Sequence, residues 1–160
     1  MVAFHWKVAD DRILIGNEQR GYDIWAYNLD GTLLRKIRKE FKPVPYPEEF
    51  RQQTKEIAAR EPALNQVPLN DMPPFSSFFM DDNGRLFVMT YEQGENPDEY
   101  IHDVFNKDGA LIGRVTLGKY GIMGRALNPL RATAKNGRFY RLRFKENGYA
   151  EVIVSRMEWN

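Results

Sequence analysis

Cysteine is absent from all 160 residues. That excludes disulfides, thiolate metal sites and cysteine nucleophiles. It suits a cytosolic chain or a cysteine-free exported one, so the compartment stays open. Histidine occurs only twice, as His5 and His102, at no spacing that suits a transition-metal site. Charge of one sign is lacking too: 23 Lys and Arg against 22 Asp and Glu leave a net +1. Phosphate neutralisation supplies most nucleic-acid affinity, so this balance speaks against a nucleic-acid partner. No apolar run approaches the roughly 20 residues of a membrane span. The opening MVAFHWKVADDRILIG carries no signal-peptide pattern. The chain reads as soluble. Neither a Gly-x-Ser-x-Gly elbow nor a phosphate loop occurs, so no common hydrolase or nucleotide signature is present.

What is present is a repeat. Aromatic residues make up 13% of the chain, a share that favours pleated sheet. KVADDRILIG is followed by YDIWAYNLDGTLLRKIRKEF, FFMDDNGRLFVMT by EYIHDVFNKDGALIGRVTL, and RATAKNGRFYRLRF by YAEVIVSRMEW. Each unit opens with a short strand ending in a polar turn: Asp10-Asp11, Asp82-Asn83-Gly84 and Lys135-Asn136-Gly137. Arg12, Arg85 and Arg138 follow at corresponding places. Asp30-Gly31 and Asp108-Gly109 lie between apolar-patterned runs, a strong hairpin signal because Gly accepts the positive φ of tight turns. Each complete unit predicts four antiparallel strands in one meander of about forty residues, the size of a propeller blade. The third unit has no Asp-Gly turn and no fourth strand.

The expected fold is therefore all-β, with about three blades, the last lacking its outer strand. The boundaries are residues 1–41 for the first blade, 75–120 for the second and 128–160 for the partial third. Residues 42–74, rich in proline, form an insertion. Within it a short amphipathic helix is expected from Pro47 to about Arg60, with Glu48 and Glu49 near its positive end and Phe50 and Ile57 on one side.

These units resemble the bacterial six-bladed β-propeller family related to NHL-repeat and TolB-like proteins. The resemblance rests on YDIWAYNLDGTLLRKI with KPVPYPEE, on PPFSSFFMDDNGRLFVMTYE, on EYIHDVFNKDGALIGRV and on KNGRFYRLRFKENGYAEVIVSRMEW. It implies half of a six-bladed ring, similar to a C-terminal half. It says little of function, since propellers host many activities. An open arc of three blades would expose the apolar faces of its end blades. A homodimer or a second propeller half is the partner this implies.

The functional expectation is a non-enzymatic binding module of unknown ligand. The alternative is a metal-dependent enzyme resembling propeller lactonases or lyases, whose channel site would be assembled from several blades. Dimerisation would then repeat His5, Asp10 and the residues near Phe75 around the ring. No catalytic residue and no protein-held metal are assigned. The candidate ligand-binding residues are His5 and Lys7, on the strand FHWKV, and Arg131, Arg141 and Arg143 near the last blade. A solvated face paired to Glu146, Glu151 and Glu158 is the plainer reading of those arginines with Lys145. No cofactor is called for except that calcium stays open. Asn28, Asp30 and Gly31 match part of an EF-hand loop, but Lys39 stands where its bidentate Glu belongs, so a hairpin turn is expected there. His102 is expected on a blade face beside Ile101 and Val104, as a polar edge or a hydrogen-bonded core histidine.

Overall fold

A computed structural model describes residues 4–17, 20–48, 51–52, 71–96, 99–118, 132–145 and 147–157. Eleven strands account for its regular structure: β1 Phe4–Ala9, β2 Arg12–Asn17, β3 Asp23–Asn28, β4 Leu33–Arg38, β5 Ser77–Met80, β6 Leu86–Gln93, β7 Glu99–Phe105, β8 Leu111–Gly118, β9 Ala132–Lys135, β10 Arg138–Phe144 and β11 Ala150–Arg156. They form three antiparallel sheets with sequence-order topology: β1-β2-β3-β4, β5-β6-β7-β8 and β9-β10-β11. The fold is all-β, as the alternating runs predict. The expected helix falls mostly outside the described residues. At its start, Arg51 N–H donates to the Pro47 carbonyl at 3.1 Å, one helical turn.

The turns follow from their residues. Asp10 and Asp11 both take positive φ, 51° and 52°, closing a two-residue hairpin between Ala9 and Arg12. Asn136 and Gly137 repeat it between Lys135 and Arg138. At the other hairpins Gly31 and Gly109 hold φ of 86° and 81°, which a side chain would strain. The register shifts on the strand leading into each, between Ala26 and Tyr27 and between Val104 and Phe105, so even the bulge belongs to the repeat.

The second sheet lies between the other two, and strand alternation sorts its side chains. Phe78, Met80, Leu86, Val88 and Phe105 pack with Leu14, Ile24, Ala26 and Ile37 of the first sheet. Phe79, Phe87, Met89, Tyr100 and Val104 take the opposite face and pack with Ala132, Ala134 and Phe139 of the third. A strand buried on both faces loses the polar half of its alternation, which is why LFVM in β6 is a continuous apolar run. Phe79 stacks on Phe87 at 4.8 Å and on Phe139 at 5.5 Å, ring pairs worth about 0.5–1.5 kcal/mol each beyond their burial. The first strands of the sheets approach one another, β1 to β5 and β5 to β9. Among the described residues no helix is long and apolar enough to cross a membrane.

Candidate functional site

Two kinds of surface stand out once the sheets are in place: the junction between the first two sheets, and the outer faces of the first and third. The junction holds a buried carboxylate. Asp103 is fully buried on β7, on the face that meets the first sheet. Its Oδ2 accepts from Lys39 Nζ at 2.7 Å, across the junction, and its Oδ1 accepts from Arg114 Nε at 3.0 Å, within its own sheet. Arg114 also pairs with Glu92 on β6. A carboxylate so far from water is tolerated only when charged partners replace its hydration. The Tyr22 hydroxyl is buried outside hydrogen-bond geometry, and burial first, then the Asp103 charge, raises its pKa above the ordinary phenol range, so it stays protonated. The network clamps one sheet to the next. Both oxygens of Asp103 are engaged by cations, which suits a structural clamp.

On the other face of β7, His102 is fully buried, with its ring edge-on to Phe79 at 6.3 Å. Its Nδ1 lies 2.9 Å from the Tyr100 carbonyl, so it carries the proton there and donates it. Burial pulls the imidazole down to about 4, which keeps it neutral. It is the hydrogen-bonded core histidine the sequence suggested.

The outer face of the first sheet is apolar and open. Trp6 and Val8 are 67% and 52% exposed, and they pair across β1 and β2 with Ile15 and Ile13. Further out on the same face sits Trp25, whose Nε1 donates to Asp23 at 2.7 Å. Lys36 Nζ lies 4.2 Å from its ring centroid and the Arg20 guanidinium 5.1 Å, so cations cap an aromatic face. Ile15, Asn17, Arg20, Asp23, Trp25 and Tyr27 line a shallow pocket of ≈ 210 Å³ there. Burial opposes the charge on Asp23, but hydrogen bonds from Arg38 and Trp25 outweigh it and hold the carboxyl below its ordinary range. The outer face of the third sheet is also apolar: Val152 and Val154 are 61% and 50% exposed beside Tyr140 and Leu142.

The residues singled out from the sequence do not converge. His5 packs edge-on against Phe75 at 5.6 Å and Phe78 at 6.4 Å, so its ring faces the second sheet rather than an open channel. Lys7 shares that face, and burial lowers its ammonium below the usual lysine range. Arg141 and Arg143 lie on β10, a different sheet. Arg141 lays its guanidinium over Gly118, where even a Cβ would stand 2.4 Å away, so it fills a junction rather than a ligand site. Arg143 and Lys145 both pair with Glu151, whose carboxyl their hydrogen bonds hold low. Arg131, Glu146 and Glu158 lie outside the described residues. In the turns, Asp30 accepts from Thr32 N at 2.8 Å and Asn106 from Asp108 N and Ala110 N at 2.9 Å each. Those oxygens serve the hairpins. Among the described residues no three His, Asp, Glu or Cys side chains are grouped to hold a metal.

The sequence reading missed the Asp103 network. Its signal was a carboxylate between His102 and the apolar pair Val104-Phe105 inside the strand EYIHDVF. No family model, no curated protein and no solved structure matches the chain.

Proposed function

We propose that the chain is a set of β-propeller blades, half of a six-bladed ring, acting as a binding scaffold through its sheet faces rather than as a catalyst. One observation carries this reading. The outer face of the first sheet bears apolar residues at the same register positions that the second sheet uses to pack on the first. Trp6 opposite Ile15 corresponds to Phe78 opposite Val88, and Val8 opposite Ile13 corresponds to Met80 opposite Leu86. A face built to the pattern of an internal junction, yet open, is a surface awaiting another sheet. The meander order and the mutual approach of the first strands fit blades radiating from a common axis. Among the described residues, Asp103, Lys39 and Arg114 are engaged in a junction clamp and Asp30 and Asn106 in turns, which suits a rigid support for partners.

The absence of cysteine makes the test clean. Spin labels at Asp11 and Asn83, in the inner turns of the first two sheets, should report roughly the 10 Å of face-packed sheets. Labels at Leu34 and Ile112, on the outermost strands of the same sheets, should lie farther apart. Equal separations would mean flat, parallel layers and would overturn the blade reading.

A further inference from the structure

We infer that the partner of both open faces is a second copy of this chain, with the first sheet of each copy seated on the third sheet of the other. This rests on the blade reading above and adds the identity and direction of the contact. Every sheet has two distinct faces. The backward face holds Trp6, Val8, Ile13 and Ile15 in the first sheet, Phe78, Met80, Leu86 and Val88 in the second, and Ala132, Ala134, Phe139 and Arg141 in the third. In the second and third sheets that face packs on the preceding sheet. Among the described residues, the first sheet's backward face and the third sheet's forward face, with Tyr140 and Leu142, have no sheet against them. A backward face meets a forward face at both internal junctions. The same rule applied to the two open faces joins them head to tail, and two copies close on a two-fold axis.

Charge agrees with this direction. Within the chain, corresponding turns meet across a junction: Asp82 Oδ2 accepts from Asn136 N–H at 2.8 Å. Across the new junction, the next copy's Asp10-Asp11 turn meets the turn at Asn136-Gly137. That turn is flanked by Lys135 and Arg138, with Arg156 opposite Arg138 on the same forward face, all three exposed. Asp11 therefore approaches Lys135 and Arg138, while Asp10 lies against Gly84 of its own second sheet. Arg138 also occupies the position of Arg12, which donates to the Lys107 carbonyl of the next sheet's outer hairpin. Its counterpart target is the Leu29 carbonyl of the second copy, beside Asp30. Area decides between one contact and two. The open apolar residues amount to on the order of 600 Å² per junction, the scale of a weak crystal contact, whereas two junctions reach on the order of 1,200 Å² and the range of specific dimers. Closing the second junction is then intramolecular.

Sedimentation velocity on the full chain tests the assembly. The expected mass is twice the 18.7 kDa of the chain. Trp6→Lys and Leu142→Lys, each folded by circular dichroism, should sediment as single chains. Mixing the two at high concentration should raise the average mass above that of either variant alone, because one intact first sheet then meets one intact third sheet, the scale of a weak contact. Arg138→Glu should weaken the dimer about tenfold. A folded wild-type single chain, a Trp6→Lys or Leu142→Lys variant that keeps the doubled mass, or a mixture that sediments no faster than the separate variants would each overturn the proposal. So would masses above two copies, which mean the contact does not close. A single-chain wild type with unequal inner and outer label separations would sink the second copy and leave the blade reading standing.

Discussion

Lowering the pH from 7 to 5 should destabilise the protein through one buried imidazole. His102 sits fully buried at about 4 in the folded chain, against 6.5 for an ordinary histidine. In that window the unfolded chain binds the proton and the folded one does not, so stability falls as pH falls. The two values give a loss of about 2 kcal/mol between pH 7 and pH 5, approaching about 3 kcal/mol below the folded value. In a chain of this length that lowers the melting temperature by about 4–8 °C. Urea unfolding at pH 7, 6 and 5 reads the slope, and His102→Gln isolates its source. The variant keeps an amide donor for the Tyr100 carbonyl and has nothing to protonate, so its stability should change little over the window. If His102→Gln loses as much stability on acidification as the wild type, the imidazole is not buried as described.

The Asp103 clamp should be the costliest junction to break. Asp103→Ala leaves Lys39 and Arg114 without their carboxylate and should lower stability by about 2–4 kcal/mol, the partial exposure of both cations softening the loss. Glu92→Gln, at the exposed end of the same network, should cost under about 1 kcal/mol by the same urea titration. Equal losses would show that the charge is not concentrated at the buried carboxylate. Gly16→Ala would set a Cβ 2.8 Å from the Phe75 ring and 2.9 Å from Phe78, and should cost about 1–3 kcal/mol; an unchanged unfolding midpoint would mean that the junction is looser than the packing implies.

The strands and turns were readable because each rests on local chemistry. Asp-Gly at positions 30–31 and 108–109 needs its glycine, and apolar alternation marks the buried face of each strand. The order of strands in each sheet followed from the short connections between them. What could not be read was which face meets which, because cross-sheet contacts join residues far apart in sequence. Lys39 and Asp103 are 64 positions apart, and neither alone announces the other. His5 looked available for a central channel, yet the aromatic pair Phe75 and Phe78 draws its ring into the junction. Arg141 looked like part of a cationic stripe with Arg143, but the bare backbone at Gly118 gives its guanidinium a place to pack. Exposed apolar outer faces were expected from the number of repeat units. Their register correspondence became visible only once the pairings Trp6 with Ile15 and Phe78 with Val88 were known.

Oxidative footprinting of Trp6, read by mass spectrometry as the protein is diluted, tests the central claim most directly. Trp6 is 67% exposed in the single chain, at the middle of the face that the account assigns to a second copy. The account predicts a protected indole at high concentration that becomes reactive on dilution, in step with the fall from two chains to one. A Trp6 equally reactive at every concentration would contradict it.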